Sequence, residues 1–473
     1  MYYRLKDDYL LRGWDKLPYA IVDRKKGGAA FITSKQMQAL ELCDGEVDVS
    51  DIFIPDALKE IIAEAEQKGS IEPCERGEGL KEFQKYKRYS NRFIRSAHWS
   101  ITGKCNYKCK HCYMSAPNAN AYEAPHEDIM KIIDMLAECG VMSVSLTGGE
   151  ALTRKDFWEI VDALLEHGIV ITQIYSNGAL VNENVLKELD KRKIHPSFVM
   201  SFDGVDGWHD WLRGVTGAQK LVDRAFELCR DMGFDASASM TIHQGNKDTL
   251  RATINHLASL GVQGIKTGYV SNLGEWKAYS DKSVGIKDIF QAYLDYLPHY
   301  YEDGMPINVM FTSFIELRKD KPDKYRIIGY DEEYNPAKTL LCPPSRSSAN
   351  ISPDGRVLMC GMMIGMQIEK LFPTMPQTHF RDCIDFPEHL RLCDMRADDL
   401  LKANEKCRTC KFNKHCYGGC RGAALTEDES NVMAPLKSLC EMYYGGWIKK
   451  IVETIQKARP TAECPVKDLS LLQ

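Results

Sequence analysis

Between His98 and about Val270 the chain alternates short apolar runs with longer amphipathic segments, and this alternation restricts the fold more than any other feature. The runs His98–Thr102, Met142–Leu146, Ile169–Tyr175, Phe198–Phe202, Ala236–Ile242 and Gly264–Val270 read as strands. The stretches Asp128–Cys139, Asp156–His167, Asn184–Lys191, Ala218–Met232 and Thr249–Leu260 carry apolar residues at helical spacing between them. Alternating βα units imply a parallel sheet with right-handed crossovers, and six of them suggest a curved, incomplete barrel. Ligands are then expected at the C-terminal ends of the strands.

The 473 residues leave room for flanking units on both sides. At the start, Tyr19–Asp23 and Ala29–Thr33 read as strands around a Lys25-Lys-Gly-Gly28 turn. Two helices are expected next, one from a Ser34 cap to about Cys43 and one from about Asp56 to Lys68. Residues 1–75 thus predict a small winged-helix-like module. Residues 76–97 carry Lys81, Lys85, Lys87, Arg88, Arg92 and Arg95 and read as a solvated linker or a track for an acidic peptide. Residues 98–275 hold the barrel. After them a bridging region runs over 276–340, with a helix near Ile289–Tyr301, and 341–473 are rich in Cys, Gly and Pro. The turn Pro353-Asp-Gly355 predicts a hairpin between Ile351 and Val357.

A net charge of −5 argues against general nucleic-acid binding. The longest apolar stretch, Val357–Met366, is far short of the about 20 residues that span a bilayer. No nucleic-acid or membrane partner is therefore expected, and the opening residues lack a signal-peptide core, which places the protein in the cytoplasm. Seventeen cysteines in a reducing compartment read as metal ligands rather than disulfides. Cys43, Cys139 and Cys229 are exceptions, since they fall on apolar helical faces and read as core.

Directly after the first strand stands Cys105-x3-Cys109-x2-Cys112. Three thiolates on one loop can hold three irons of a cubane and leave the fourth open, whereas zinc normally takes four protein ligands. This triplet resembles that of radical S-adenosylmethionine (SAM) enzymes. The resemblance extends to the following strand ends: Thr147-Gly148-Gly149-Glu150 would hold the methionine amino group, Ser176 and Asn177 would face the ribose or carboxylate, and Ser201 and Arg213 would contact SAM. In such enzymes an electron from the cluster cleaves SAM, and the resulting 5′-deoxyadenosyl radical takes hydrogen from an unactivated carbon. The same resemblance implies that Tyr113 packs over the cluster. No general base stands out, since Asp203, Asp206, His209 and Asp210 are only neighbours of the cofactor segment.

Downstream, Cys342 and Cys360 precede Cys407-x2-Cys410-x5-Cys416-x3-Cys420 and Cys440. The order resembles the SPASM extension of that superfamily, which binds two auxiliary [4Fe–4S] clusters. The resemblance assigns Cys407, Cys410, Cys416 and Cys440 to a distal cluster and Cys342, Cys360 and Cys420 to a proximal one, for three [4Fe–4S] clusters in all. The proximal set has three ligands: either Cys383 or Cys393 is the fourth, or one iron is open to a substrate thiol. The N-terminal module resembles PqqD-like elements that bind the leader of a precursor peptide.

Taken together, the resemblance implies a radical SAM/SPASM maturase of a ribosomally made peptide, installing a thioether between a Cys sulfur and a carbon of another residue. Carbon–carbon or carbon–oxygen cross-linking, and sulfatase-maturase-like oxidation of a protein Ser or Cys, are the alternatives, with a non-catalytic Fe–S or leader-binding role behind them. A flavodoxin or ferredoxin is the implied electron donor.

Overall fold

The computed structural model describes residues 1–115, 122–331 and 334–472. Six strands belong to the N-terminal part: β1 (Tyr2–Leu5), β2 (Tyr9–Asp15), β3 (Leu17–Asp23), β4 (Gly28–Phe31), β5 (Ile71–Cys74) and β6 (Lys87–Arg92). A four-stranded sheet runs β4-β3-β2-β6, and β1 pairs with β5 beside it. The helices Ser34–Glu41 and Asp56–Gln67 cover this unit, burying Met37, Leu40 and Ile62 against Leu5 and Leu11. The first helix is capped by Thr33, not Ser34: the Gln36 amide donates to the Thr33 hydroxyl at 3.2 Å and the Thr33 amide to Gln36 Oε1 at 2.9 Å. Only Thr33 stands three residues before a Gln, which is what the reciprocal box requires. The basic stretch read as a linker contributes β6, which lies parallel to β2.

An eleven-stranded sheet forms the body of the molecule. Its parallel part is β7 (Ser96–Ser100), β8 (Ser143–Thr147), β9 (Val170–Ser176), β10 (Ser197–Ser201), β11 (Ala236–Ile242), β12 (Gly264–Tyr269) and β13 (Asn308–Phe311), in that spatial order. All six expected strands are present, and β13 adds a seventh, reached through the helix Ile286–Glu302. Two short antiparallel strands, β14 (Ile315–Leu317) and β15 (Tyr325–Ile327), extend one edge. At the other edge β16 (Ser348–Ile351) joins β7 in parallel, followed by its hairpin partner β17 (Val357–Leu358). The regions read from sequence as bridge and cysteine-rich extension therefore share one sheet with the barrel.

Strand alternation sorts the two faces. On β11, Ala236, Ala238, Met240 and Ile242 are buried toward the helices, while Ser237, Ser239 and Thr241 turn to the concave side. The helices His126–Glu138, Phe157–Glu166, Glu183–Lys191, Ala218–Asp231 and Leu250–Ser259 each bury an apolar face on the outer side, through residues such as Ile133, Ile160, Leu186, Phe226 and Leu257. The N-terminal unit docks at the strands' N-terminal end: Trp14, fully buried, donates from Nε1 to the Cys139 carbonyl at 3.3 Å and packs with Tyr89 and Phe93. No helix among the described residues is long and apolar enough to cross a membrane.

Candidate functional site

The loop Cys105–Cys112 leaves β7 at the C-terminal end of the sheet, as the sequence predicts. Backbone contacts hold it from two sides. The Gly149 amide donates to the Thr102 carbonyl at 2.8 Å and the Glu150 amide to the Lys104 carbonyl at 2.9 Å, tying the end of β8 to the approach to Cys105. A Cβ on Gly149 would collide with the Lys104 carbonyl, and one on Gly214 with the Lys108 carbonyl. In the structure Gly148 and Gly149 let the backbone of β8's end close on Thr102 and Lys104 at the approach to Cys105.

Glu150 is 1% exposed. Its carboxylate accepts from the Ser176 hydroxyl at 3.1 Å, the Asn177 amide at 2.7 Å and the Leu152 amide at 3.3 Å. Burial pushes its pKa up to about 7, with the amide donors pulling the other way. Asn177 in turn donates from Nδ2 to Asn106 Oδ1 at 2.7 Å, and that Nδ2 lies 3.9 Å from Cys105 Sγ. Glu150, Ser176 and Asn177 are thus one network ending at the first cysteine. Thr147 and Ser201 close β8 and β10 at the same end, each half-buried.

Arg213 has its own carboxylate. Its Nε lies 2.6 Å from Asp203 Oδ2, and its Nη1 lies 3.7 Å from Cys109 Sγ. Asp203 is fully buried and also accepts from the Thr241 amide at 2.9 Å. Burial would raise the Asp203 pKa, but the Arg213 guanidinium and neighbouring His209 outweigh it and hold the carboxyl well below its ordinary range. The sequence reading placed Asp203 only as a neighbour. Its signal was its position in Ser201-Phe-Asp-Gly204, two residues beyond a strand end that already carried Ser201.

The C-terminal cysteines fall into two groups. Cys407, Cys410, Cys416 and Cys440 line one small cavity of about 40 Å³ walled by Leu436, Leu439 and Tyr443. Cys360 is the centre of the second group: burial pushes its thiol up to about 12, and negative charge on Cys420 and Cys342 adds to the rise. A Cβ on Gly422 would lie 3.0 Å from Cys360 Sγ, so the helix following Cys420 packs on that thiol. Cys383 is fully buried elsewhere, with Sγ 3.7 Å from the Thr378 carbonyl and Asp382 and the Cys139 thiol as its neighbours. Cys393, 1% exposed, packs among Leu341, Leu358 and Leu392, with Ser345 as its polar partner and Cys342 nearby.

Among the described residues no three His, Cys, Asp or Glu converge tightly enough to hold a single metal ion. One zinc would draw its sulfurs to about 2.3 Å from a common point. Four cysteines on one cavity are the donor type that iron–sulfur clusters take, and burial raises the thiol pKa of Cys407, Cys416 and Cys440, so thiolates form there only where bound cations offset the charge.

A chamber of about 390 Å³ joins the two ends of the site. Tyr113 and His111 border it from the first cysteine loop, Thr241 and Tyr269 from the ends of β11 and β12, and Cys360 and Met362 from the extension. Tyr113, expected over a cluster, thus stands between the triplet and Cys360. His98 also lines it, and burial pulls its imidazole down to about 4, so it is neutral there.

A parallel α/β sheet with a cysteine triplet at the end of one strand, glycine-clamped and facing a chamber, defines a protein built around a cysteine-held cofactor at the open end of an incomplete barrel. Residues 99–257 match the family model described as the Radical SAM superfamily, and this stretch is a radical SAM domain. Among curated proteins, the sporulation killing factor maturation protein SkfB of Bacillus subtilis is 25% identical over 55% of this chain and 58% of its own length. The Fe-coproporphyrin III synthase of Methanosarcina barkeri is 25% identical over 48% of this chain and 59% of its own. The chain thus spans under two thirds of the length of these two relatives. Among solved structures, Streptococcus suis SuiB bound to its precursor peptide SuiA shares the fold at a TM-score of 0.61, with 15% identity, over 93% of this chain and 100% of that one.

Proposed function

We propose that this protein is a radical SAM enzyme that modifies a ribosomally made precursor peptide, joining a Cys sulfur to a carbon of another residue as a thioether. The observation that carries this reading is the chamber shared by the first cysteine loop and Cys360, with Cys342 and Cys420 near that thiol and Cys383 buried elsewhere. A cluster held by Cys360, Cys342 and Cys420 beside the chamber would leave an iron open for a substrate thiol. A peptide substrate is supported by the names of relatives, one a maturation protein and one described with a precursor peptide bound.

In this reading Cys105, Cys109 and Cys112 hold the SAM-binding [4Fe–4S] cluster, and the two downstream groups hold auxiliary [4Fe–4S] clusters. When bound, the cluster and SAM supply the abstraction of hydrogen from an unactivated carbon. The chain's own residues position that chemistry. Thr147, Gly148, Gly149 and Glu150 anchor the loop that presents the cysteines, and Ser176, Asn177, Ser201 and Arg213 surround the cofactor end of the strands. The Asp203–Arg213 pair keeps a fixed positive group beside Cys109, where thiolate charge collects. Tyr113 and Tyr269 line the chamber wall. The N-terminal unit binds the leader, as PqqD-like elements do, and a flavodoxin or ferredoxin supplies electrons.

The test is anaerobic assay of the purified protein for 5′-deoxyadenosine, followed by thiol titration of a candidate Cys-containing precursor peptide after reaction with it. A product lacking two hydrogens and one free thiol per bond supports the thioether. A product that keeps every thiol while losing two hydrogens points to carbon–carbon or carbon–oxygen cross-linking instead. Absence of 5′-deoxyadenosine under strong reductant would remove the enzyme reading.

A further inference from the structure

The N-terminal unit and the barrel leave a cleft along their seam, at the opposite end of the strands from the cysteine loop. The turn between β3 and β4 forms its edge. Asp23 accepts from the Lys25 and Lys26 amides at 2.9 and 3.1 Å, and a Cβ on Gly27 (φ +58) would lie 2.7 Å from Ser143 Cβ at the start of β8. The turn is therefore seated on the barrel, and it carries Arg24 into the seam. Arg24 and Arg12 line one cavity of about 160 Å³. Arg24 and Gly168 also line a second cavity, of about 590 Å³, bounded on the barrel side by Val170, Thr172 and Lys193.

Both guanidiniums are half-buried and neither has a carboxylate among the described residues. Arg12 donates to the carbonyls of Leu11, Phe83 and Lys85 at 2.7, 2.6 and 2.8 Å. Arg24 rests on the Phe83 ring, 4.5 Å from its centroid. Burial lowers the Arg12 pKa, Tyr89 opposes that, and the charge of Arg24 lowers it further, so the two cations repel. The anions of the seam are committed elsewhere: Asp7 binds Lys81 at 2.6 Å and Asp8 binds Lys25 at 2.7 Å. Lys26 lies 4.0 Å from Asp23, His167 pairs with Asp134 and His195 with Asp190. Glu166, exposed at the rim, and Lys193 form no ion pair among the described residues. Between the arginines the wall is apolar, made by Leu10, Phe83, Tyr89, Val141 and Met142. A lone phosphate would satisfy the guanidiniums and leave that wall bare, whereas a peptide segment with a carboxylate next to an apolar side chain covers both.

We propose that this seam is a peptide-binding cleft, in which Arg12 and Arg24 receive an Asp or Glu of the precursor peptide, a neighbouring apolar side chain packs against Phe83 and Met142, and the peptide runs on toward Lys193. This rests on the peptide-modifying function proposed above and deepens it: the segment recognised is acidic and apolar, and its site needs the N-terminal unit and the barrel together. Inorganic phosphate offers a similar anion, so the test separates the two.

The experiment is fluorescence anisotropy on the intact, anaerobically purified chain, with a labelled synthetic peptide of alternating Glu and Leu and its counterpart of alternating Gln and Leu. The wild type is expected to bind the acidic peptide about tenfold or more tighter, and Arg24→Glu to remove that preference, because a charge-assisted pair becomes a repulsive one. Lys193→Glu, on the barrel side, should weaken acidic-peptide binding about threefold or more, and it does not depend on the fold of the N-terminal unit. Equal binding of the two peptides, binding of neither, or a preference that survives Arg24→Glu overturns the proposal. A loss with Arg24→Glu and none with Lys193→Glu confines the site to the N-terminal unit and overturns the seam. Displacement of the acidic peptide by inorganic phosphate at equal concentration assigns the cleft to phosphate instead. Binding is read without turnover, so a wild type that prefers the acidic peptide and makes no 5′-deoxyadenosine would sink the proposed function and leave the cleft standing; the two failures are distinguishable.

Discussion

Asp203 Oδ2 stands 2.6 Å from Arg213 Nε, fully buried, while the same guanidinium reaches toward Cys109 Sγ. The pair converts a strand end into a fixed cation beside the cysteine loop. Replacing Asp203 by Asn leaves an unpaired buried guanidinium, and the expected loss is about 3–5 kcal/mol of stability, read by denaturant unfolding. Because the folded pKa of Asp203 lies below its unfolded value, its contribution is fully present above about pH 4 and fades as the pH falls toward the folded value. The variant should therefore lack part of the acid limb seen in the wild type.

Glu150 predicts the opposite slope. With its pKa raised to about 7, the folded state holds a proton that the unfolded state has released, so stability is greatest below the ordinary glutamate value and declines as pH rises through 7. Unfolding measured between pH 5 and 8 should show this decline, bounded by about 3 kcal/mol. In Glu150→Gln the slope should flatten. A variant with the wild-type slope would place the titration elsewhere.

Gly149→Ala tests the clamp on the cysteine loop. The added methyl meets the Lys104 carbonyl, and the displaced loop should cost about 1–3 kcal/mol and lower iron retention at the triplet. Gly28→Ala, where a Cβ meets nothing within 4 Å, is the matched control and should change neither.

Iron counting separates the cysteine groups. Anaerobically reconstituted protein should hold about twelve irons, and the Cys105→Ala/Cys109→Ala/Cys112→Ala variant about eight, with 5′-deoxyadenosine formation abolished. Cys383→Ser should keep the full count, since that thiol is buried beside Thr378 and Cys139. About four irons in the unmodified protein would remove both auxiliary clusters and the thioether mechanism with them.

Trp14 ties the N-terminal unit to the barrel. Trp14→Ala empties a fully buried site shared with Tyr89, Phe93 and Gly140, and should cost about 3–5 kcal/mol. Limited proteolysis near residue 90 should accelerate in the variant while the barrel stays intact.

The six strands β7 to β12, the helices between them and the position of Cys105, Cys109 and Cys112 at a strand end were legible in the sequence, because periods of two and 3.6 residues are local and survive without any partner. So were the hairpin at Pro353–Gly355 and the helix around Ile289. The pairing of β16 with β7, the seventh parallel strand β13 and the attachment of β6 were not, because which edges of a sheet find further strands is a contact between residues up to about 250 positions apart. The capping residue slipped by one, since Thr33 and Ser34 carry the same chemistry and only the geometry of Gln36 separates them. For the site, the sequence by itself determined the residue types and their order: thiols, glycines, a glutamate, an arginine. The tertiary structure alone decided their partners. It gave Arg213 to Asp203, closed Gly149 against Lys104 and buried Cys383 away from Cys342. Charge pairing and steric closeness depend on distance in space, which a linear spacing does not encode once the chain has crossed the sheet.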